Sequence, residues 1–410
     1  MSSAVLARAV HHSSGVHLNR LARYLILPAF LLVTAVSSAR AQTHVSDTLT
    51  FLVTNRTVDT GSAAADTAAA AATSRTISHA LLASLSTLPV TSTSGAFSYR
   101  LNPDIGTVQR TTQTFGPALV DRALTSGAGT IGVGLAVQHL RFTSLDGRNL
   151  RNGSLVTTAN QFVDESEPFD VDALTLRLDA DVMTAYANVG LGSRFDVAAA
   201  APLVWLRMDG SRVNTYRGRQ VTQARARADA VGFADLLLRA KATVFDEDGM
   251  SLATAVDVRL PTGREADLLG TGKTSVRLSG IGSLEGARTS AHASVGAAFG
   301  GLATDVTIGA AVTTAVTPHV TVGAEALGRW MDLPGSIVSV SQPHPTLAGV
   351  NTTRLLPGDA RLTSLTLAPS VKWNLTDTWV LVAHVGVPMF KGGLRAPILP
   401  LVGLEYSLGR

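Results

Sequence analysis

The sequence predicts an all-β fold: an antiparallel transmembrane β-barrel of about 12 strands, preceded by an N-terminal periplasmic or plug segment that contains a helix. Three observations support this prediction. Short segments that alternate apolar and polar residues recur from about residue 130 onward, the connections between them alternate in length, and the chain begins with an apparent export signal. A period of two is typical of strands that have one apolar face.

The first 41 residues have the features of a secretory signal peptide. Arg8, Arg20 and Arg23 lie in a stretch without acidic residues, an apolar run covers residues 24–36, and Ala-Arg-Ala at 39–41 matches a cleavage site. We therefore expect cleavage after Ala41. The apolar run is too short to span a bilayer as a helix, which needs about 20 residues.

The composition excludes several classes of function. Without the leader, 34 Lys and Arg residues fall to 30 against 30 Asp and Glu, so the mature chain is formally neutral. This balance gives no indication of a nucleic-acid-binding surface. The chain has no cysteine, which excludes disulfides and thiolate metal sites. The histidines of the predicted barrel occur singly, so we expect neither a metal nor another cofactor.

Twelve segments carry the strand alternation. In residues 172–182, Leu174, Leu176 and Leu178 share one face while Arg177 and Asp179 share the other. The predicted strands cover residues 131–143, 172–187, 194–207, 235–245, 252–260, 274–284, 289–299, 304–316, 320–331, 360–373, 379–388 and 397–408.

The connections between these segments indicate a membrane barrel rather than a soluble sandwich. Long connections at 144–170, 208–231, 262–273 and 332–359 alternate with short ones, and 300–303 is the exception. Outer-membrane barrels have short periplasmic turns and longer outer loops, and in lipid only a closed barrel satisfies the backbone hydrogen bonds of strands. We therefore predict that residues 130–410 lie in the outer membrane of a Gram-negative bacterium, with outer-membrane lipid and the barrel-insertion machinery as partners.

Residues 42–129 form a separate N-terminal segment. Ile77, Leu81, Leu82, Leu85 and Leu88 fall on one helical stripe. The favoured interpretation is a periplasmic helix on the lower rim of the barrel, and the alternative is a plug inside the lumen. Residues 47–53 could form a strand.

The stretch LLGTGKTS, residues 268–275, is similar to the end of a phosphate-binding loop. That loop requires a glycine five residues before Gly272 and a helix after the lysine. Asp267 stands at the glycine position, and the following residues alternate as a strand. We conclude that this stretch is not a nucleotide site.

The same region resembles a family of bacterial outer-membrane transporters linked to the meta-cleavage pathway of phenol degradation. In that family a strand ends in Pro-Thr-Gly and the next loop carries Leu-Gly-x-Gly. Pro261, Thr262 and Gly263 match the first element, and Gly270 and Gly272 match the second. Residues 190–206 and 232–245 are also similar. The resemblance implies passive transport of small molecules, with aromatic or apolar solutes as the expected class.

If the lumen carries the function, charged residues on the polar strand faces are the candidates to line it. Acidic and basic residues are balanced, so no ring of one sign would select an ion by charge. We expect Arg239 and Lys241 to lie near Asp257 by cross-strand pairing. The predicted lumen-lining residues are Arg177, Asp179, Asp181, Asp196, Asp235, Arg239, Lys241, Asp257, Arg259, Arg277, Glu325, Arg329, Lys372 and Glu405.

The main functional hypothesis is a channel for passive uptake of small-molecule solutes, not an enzyme. The first alternative is a structural or surface-interaction barrel with a closed lumen. The second, least favoured, is a barrel-embedded hydrolase of the lipase type. In that case His292 would act with Ser290 or Ser294, since residues two apart on a strand share a face.

Overall fold

Strands make up most of the described residues, and two of the described elements, both helices, precede them. The computed structural model describes residues 44–86, 99–102, 107–110 and 112–408, so the predicted signal peptide lies outside the described residues. In chain order the elements are α1 (Val45–Val53), α2 (Ala63–Ser86), β1 (Tyr99–Asn102), β2 (Thr107–Arg110), β3 (Ile131–Phe142), β4 (Ser144–Leu145), β5 (Arg148–Asn149), β6 (Leu155–Phe162), β7 (Asp170–Gly190), β8 (Phe195–Tyr216), β9 (Arg219–Phe233), β10 (Leu236–Glu247), β11 (Met250–Leu260), a 3-10 turn (Glu265–Asp267), β12 (Ser275–Glu285), β13 (Thr289–Gly300), β14 (Asp305–Thr317), β15 (Val320–Pro334), β16 (Ile337–Pro343), β17 (Val350–Pro357), β18 (Arg361–Asn374), β19 (Trp379–Pro388), β20 (Leu394–Arg395) and β21 (Leu399–Leu408).

Twelve of these strands form a closed antiparallel barrel, which confirms the predicted fold class and strand number. Each barrel strand pairs with the next one along the chain, and β21 returns to β3, where Leu408 lies opposite Ile131. The barrel strands are β3, β7, β8, β10–β15, β18, β19 and β21. Because the wall closes on itself, the barrel has no unpaired edge between its first and last strands.

The two rims of the barrel differ. One rim, the short-turn rim, carries the turns 191–194, 248–249, 286–288, 318–319 and 375–378. The opposite rim, the long-loop rim, carries the connections 143–169, 261–274, 335–360 and 389–398, together with the short turn 301–304. This asymmetry matches the one predicted from the sequence.

Apolar side chains form a band around the outer face of the wall. Exposed residues of this band include Val133 and Leu135 on β3 and Leu252 and Val256 on β11. All four tryptophans lie on the outer face near the edges of the band, with Trp205 and Trp330 toward the long-loop rim and Trp373 and Trp379 toward the short-turn rim. Aromatic girdles at both edges of an apolar band are typical of outer-membrane barrels.

Strands β7 and β8 continue beyond the band at the long-loop rim. They contain 21 and 22 residues, whereas about 9–11 residues cross a bilayer. Strand β9 pairs with the outer part of β8, and β6, β17 and β16 pair in succession beyond β7. The predicted long connections 144–170, 208–231 and 332–359 therefore contain strands that extend the wall outward.

Helices α1 and α2 fill the inside of this extension. Their side chains Leu49, Leu52, Ile77 and Leu81 pack in one buried cluster with the inward residues of β7 and β8. The favoured prediction, a helix on the short-turn rim, is wrong, because α2 contacts β17 and β20 at the opposite rim. Residues 47–53 are helical rather than a strand. Neither described helix is long and apolar enough to cross a bilayer.

Candidate functional site

Most of the predicted lumen residues lie inside the barrel. The structure places ten of them on inward strand faces: Asp196, Arg239, Lys241, Asp257, Arg259, Arg277, Glu325, Arg329, Lys372 and Glu405. Asp235 is buried between β9 and β10, where it binds a loop at the long-loop rim rather than facing the open lumen.

The prediction for Arg177, Asp179 and Asp181 is wrong, because these residues lie on the outer face of β7. Their neighbours Leu176, Leu178 and Ala180 point inward and are at most 1% exposed, packed against the helices. This part of β7 lies in the extension, where the interior is an apolar core and the exterior is polar. The alternation was recognised correctly, but its two faces were assigned in reverse.

Residues 112–130, which we call the lumen segment, cross the barrel interior. Thr114 Oγ1 lies 3.0 Å from Ser290 Oγ, and Gly129 donates to the Gly190 carbonyl at 2.8 Å. Both partners stand at the ends of strands on the short-turn rim. Between these anchors the segment rises to the level of Glu325 and Arg239. Sequence periodicity could not reveal the segment, because it forms neither helix nor strand.

Glu325 is the main anchor at the top of the lumen segment. Its carboxylate accepts the backbone N–H groups of Ala118, Leu119 and Val120 at 2.7–2.9 Å, and Ser370 Oγ donates to it at 2.9 Å. A buried carboxylate with four donors is well compensated for the loss of water. Glu325 therefore fixes three consecutive peptide groups of the segment to β15.

Lys241 and Asp196 hold the descending part of the lumen segment. Lys241 Nζ donates to the carbonyl of Leu124 at 2.7 Å, and Asp196 Oδ2 accepts the N–H of Ser126 at 2.9 Å. The two charged groups are 3.9 Å apart. Lys241 stands opposite Ala255 in the strand register, so it does not join Asp257 as expected.

Two ion-pair clusters line the lumen above the segment. In the first, Arg239 contacts Asp257 through Nε at 2.5 Å, the predicted cross-strand pair, and also contacts Asp121 at 2.6 Å. In the second, Asp305 accepts from Arg277 at 3.0 Å and from Arg329 at 2.6 Å. Asp305, the first residue of β14, lies within the predicted strand 304–316 but is not among the predicted lumen-lining residues.

Two adjoining cavities lie between the lumen segment and the end of α2. The first, of about 150 Å³, is mainly polar, and its lining includes Arg239, Arg259, Arg277 and Arg329 with Asp121, Asp257 and Asp305. The second, of about 120 Å³, is mainly apolar, and its lining includes Leu140, Phe142, Leu362 and Phe390. Both contact Leu119, Leu327, Arg329 and Met331. A cationic compartment therefore adjoins an apolar one at Arg329.

Arg259 differs from the other arginines of the first cavity. Its Nη2 donates to the carbonyl of Ser86 at 3.0 Å. Among the residues described in the structure, no carboxylate lies within ion-pair distance of it, in contrast to Arg239, Arg277 and Arg329. With four arginines and three aspartates, the cavity lining has a formal excess of one positive charge.

The family-motif residues form a clasp around Asp235. Its carboxylate accepts the N–H of Gly263 at 3.1 Å and the N–H of Thr271 at 2.9 Å, and Thr262 Oγ1 accepts the N–H of Leu236 at 2.9 Å. A Cβ on Gly263 would lie 2.5 Å from the Leu269 carbonyl, and one on Gly270 would overlap the Asp235 carboxylate. The glycines are thus needed for close backbone approach, not for phosphate binding.

His292 has a serine neighbour in the structure, but this serine is neither Ser290 nor Ser294, the partners that the hydrolase alternative requires. His292 Nδ1 lies 2.9 Å from Ser283 Oγ on the neighbouring strand, and Ser283 Oγ accepts the N–H of Ala123 in the lumen segment at 2.9 Å. Both side chains are 3% exposed. The pair therefore faces the lumen segment and leaves no open approach for a substrate. No three His, Asp or Glu side chains of the described residues gather as a metal site.

A family model with the description "Putative MetA-pathway of phenol degradation" matches residues 153–387. The chain belongs to this family. The match covers the extension, the clasp around Asp235 and most of the barrel, and it confirms the resemblance drawn from residues 180–300. No curated protein has a sequence that matches this chain significantly.

Solved structures similar to the chain include outer-membrane proteins. An outer-membrane channel from Pseudomonas putida F1 is 14% identical, with a TM-score of 0.47, over 70% of this chain and 98% of that one. The KdgM porin is 9% identical, with a TM-score of 0.35, over 68% and 99%. The outer-membrane protease OmpT from Escherichia coli is 9% identical, with a TM-score of 0.27, over 68% and 97%.

Proposed function

We propose that the protein is an outer-membrane channel for passive uptake of small organic molecules, and that the two adjoining cavities are where a solute is held during passage. The pairing of a cationic and an apolar compartment supports this proposal. A solute with a carboxylate and an aromatic or aliphatic body would place its anion near Arg259 and its body against Leu140 and Phe142. Arginine binds carboxylates well because its planar group offers several N–H donors.

The test is ion conductance of the purified barrel in planar lipid bilayers, with benzoate added as a blocking solute. We expect a measurable conductance that benzoate reduces. Arg259→Gln should weaken the block several-fold, because it removes the cavity's excess positive charge. Arg361→Gln is the matched control: Arg361 is exposed on the wall, pairs with Asp332 at 3.2 Å and lines neither cavity. A wild-type barrel without conductance would overturn the proposal.

A second candidate, a barrel with a closed lumen that acts through its surface, is favoured by the dense bonding of the lumen segment. Glu325→Ala separates the two. Removing the acceptor of three N–H groups should release the upper part of the segment. Ser370→Ala, which removes one of the four donors to Glu325, is the control. A channel conducts in the wild type and more in Glu325→Ala; a closed barrel stays silent in the wild type and opens only in Glu325→Ala.

A further inference from the structure

One side of the barrel carries ordered rows of charge on its outer face, at the start of the extension. In the first row, Arg141, Asp179, Arg207 and Asp229 stand opposite one another on β3, β7, β8 and β9. In the second row, Arg177, Asp209 and Arg227 stand opposite one another on β7, β8 and β9. We call these seven residues the outer belt. Positive and negative groups alternate within each row.

The outer belt begins directly above the apolar band. Four residues along β3, or about 13 Å, separate Arg141 from Val137, and the row at Val137 is wholly apolar, with Met183, Leu203 and Phe233 as its other members. The intervening row contains Trp205, a residue type that concentrates at the membrane surface. It also contains His139 and Asp181, and Asp181 pairs with Arg207 of the belt. The belt therefore lies at the height of lipid headgroups rather than of acyl chains.

Among the residues that the structure describes, the opposite wall of the barrel has no such rows. There β13 ends at Phe299 and Gly300, the turn 301–304 follows, and β14 starts at Asp305, whose side chain points inward. Contact with water alone would require polar residues on the outer faces of β7 and β8, but not charged residues in ordered rows. Ordered arginines on one wall, continuous with a lipid-facing surface, indicate a specific partner for that wall.

The chemistry of the outer belt suits phosphate groups. The side chains of Arg141, Arg207 and Arg227 are 60%, 54% and 65% exposed. Asp229 binds Arg227 through Nε at 2.9 Å and Nη2 at 3.2 Å, which orients the guanidinium and leaves further N–H donors unused by this pair. Oriented arginines bind phosphate through paired hydrogen bonds, and the belt has one more positive than negative charge.

We propose that the outer belt binds the phosphorylated headgroup of a glycolipid of the outer leaflet, while the acyl chains of that lipid lie on the apolar band beneath. The arginines contact the phosphates, and the aspartates keep neighbouring arginines apart and in position. The lipid would hold this wall at a fixed height in the membrane and support the extension that encloses α1 and α2.

The test is native mass spectrometry of the folded barrel in detergent with three probes: rough lipopolysaccharide, the same lipid after enzymatic dephosphorylation, and phosphatidylglycerol. We expect the phosphorylated lipopolysaccharide to bind at least tenfold more tightly than the other two. The triple variant Arg141→Gln, Arg207→Gln, Arg227→Gln should lose that preference. Arg361→Gln, a change at an exposed arginine on β18 outside the outer belt, should keep it.

Three results would overturn the proposal. The dephosphorylated lipid could bind as tightly as the phosphorylated one, phosphatidylglycerol could bind equally well with the same dependence on the belt, or the triple variant could bind like the wild type. A heat-dependent shift in electrophoretic mobility verifies that each variant is folded. If the triple variant does not fold, the single variant Arg207→Gln is compared with Arg361→Gln, and equal binding by the two contradicts the proposal.

Discussion

The two halves of strands β7 and β8 have the same alternation but opposite polarity. Toward the short-turn rim, Ala185 and Ala187 face outward and Thr184 and Asn188 face inward. Toward the extension, Asp179 and Arg177 face outward and Leu176 and Leu178 face inward. The strand does not change register; its surroundings change, from lipid outside and a polar lumen inside to water outside and a helical core inside. The polarity of a strand face therefore depends on the environment that the face contacts, and does not show whether the face points inward or outward.

The largest effect should follow from a charge placed inside the extension. Leu176→Asp puts a carboxylate into a core where Leu176 is 1% exposed, at a cost of roughly 4 kcal/mol or more. We expect α1 and α2 to detach and become sensitive to protease while the barrel itself stays folded. Thr175→Asp, on the outer face one residue away, should leave the helices protected. Equal protection in both variants would contradict the assigned polarity of this half.

In the half of β7 near the short-turn rim, a charge on the outer face should impair folding. Ala185→Arg places a charge on the lipid-facing surface, at a cost of about 2–4 kcal/mol near the bilayer midplane, whereas Arg177 is native on the same face of the same strand. We expect a lower folded fraction in lipid vesicles, measured by heat-dependent electrophoretic mobility. Ala185→Leu controls for side-chain size and should fold normally. Normal folding of Ala185→Arg would show that the apolar band does not meet lipid at this position.

A smaller effect should come from the clasp, in which Asp235 holds loop 261–274 at the junction of β9 and β10. A Cβ at residue 270 overlaps Asp235, so Gly270→Ala should cost about 1–3 kcal/mol and loosen loop 261–274. Proteolysis within this loop should become faster. Gly280→Ala is the matched control, since its added Cβ would have no neighbour closer than 4.0 Å. Unchanged proteolysis in Gly270→Ala would mean that the clasp does not hold the loop.

The smallest effect concerns pH and the docking of α2. Burial lowers the pKa of His79, Arg75 and Lys273 lower it further, and Glu265 opposes them. The folded pKa of His79 lies below the unfolded value of about 6.5. Neutral His79 therefore favours docking of α2 fully above that pH, and the docking free energy it contributes is lost as the pH falls. Protease protection of α2 should therefore weaken on acidification, and His79→Gln should remove this dependence. A pH profile shared by both proteins would exclude His79 as its source.

Much of the wall could be predicted from the sequence, because a barrel strand must alternate along its whole length. All twelve predicted segments are barrel strands, and several bounds agree to within one residue, as for β13 and β19. The assignment of faces failed only where a helical core replaces the lumen, as at Arg177, Asp179 and Asp181. Alternation contains no information about which side is lipid.

The interior was less predictable for a different physical reason. Contacts such as those of Glu325 with Ala118, Leu119 and Val120 use peptide groups, which every residue has. A charged side chain can be recognised in a sequence, but the sequence does not show which peptide N–H groups will donate to it. The glycines of the clasp could be singled out through the family resemblance, and the structure shows that close backbone approach requires them at 263 and 270.

The lumen segment also has a mechanical consequence. It is bonded to β8, β10, β12 and β13 on one side of the ring and to β15 and β18 on another. A twelve-strand ring held only by its circumference can flatten into an ellipse without breaking any pairing between strands. With the segment in place, the ring has an internal brace, and flattening must stretch buried bonds at Glu325 or Lys241. The resistance of the barrel to flattening is therefore a property of its contents as much as of its wall.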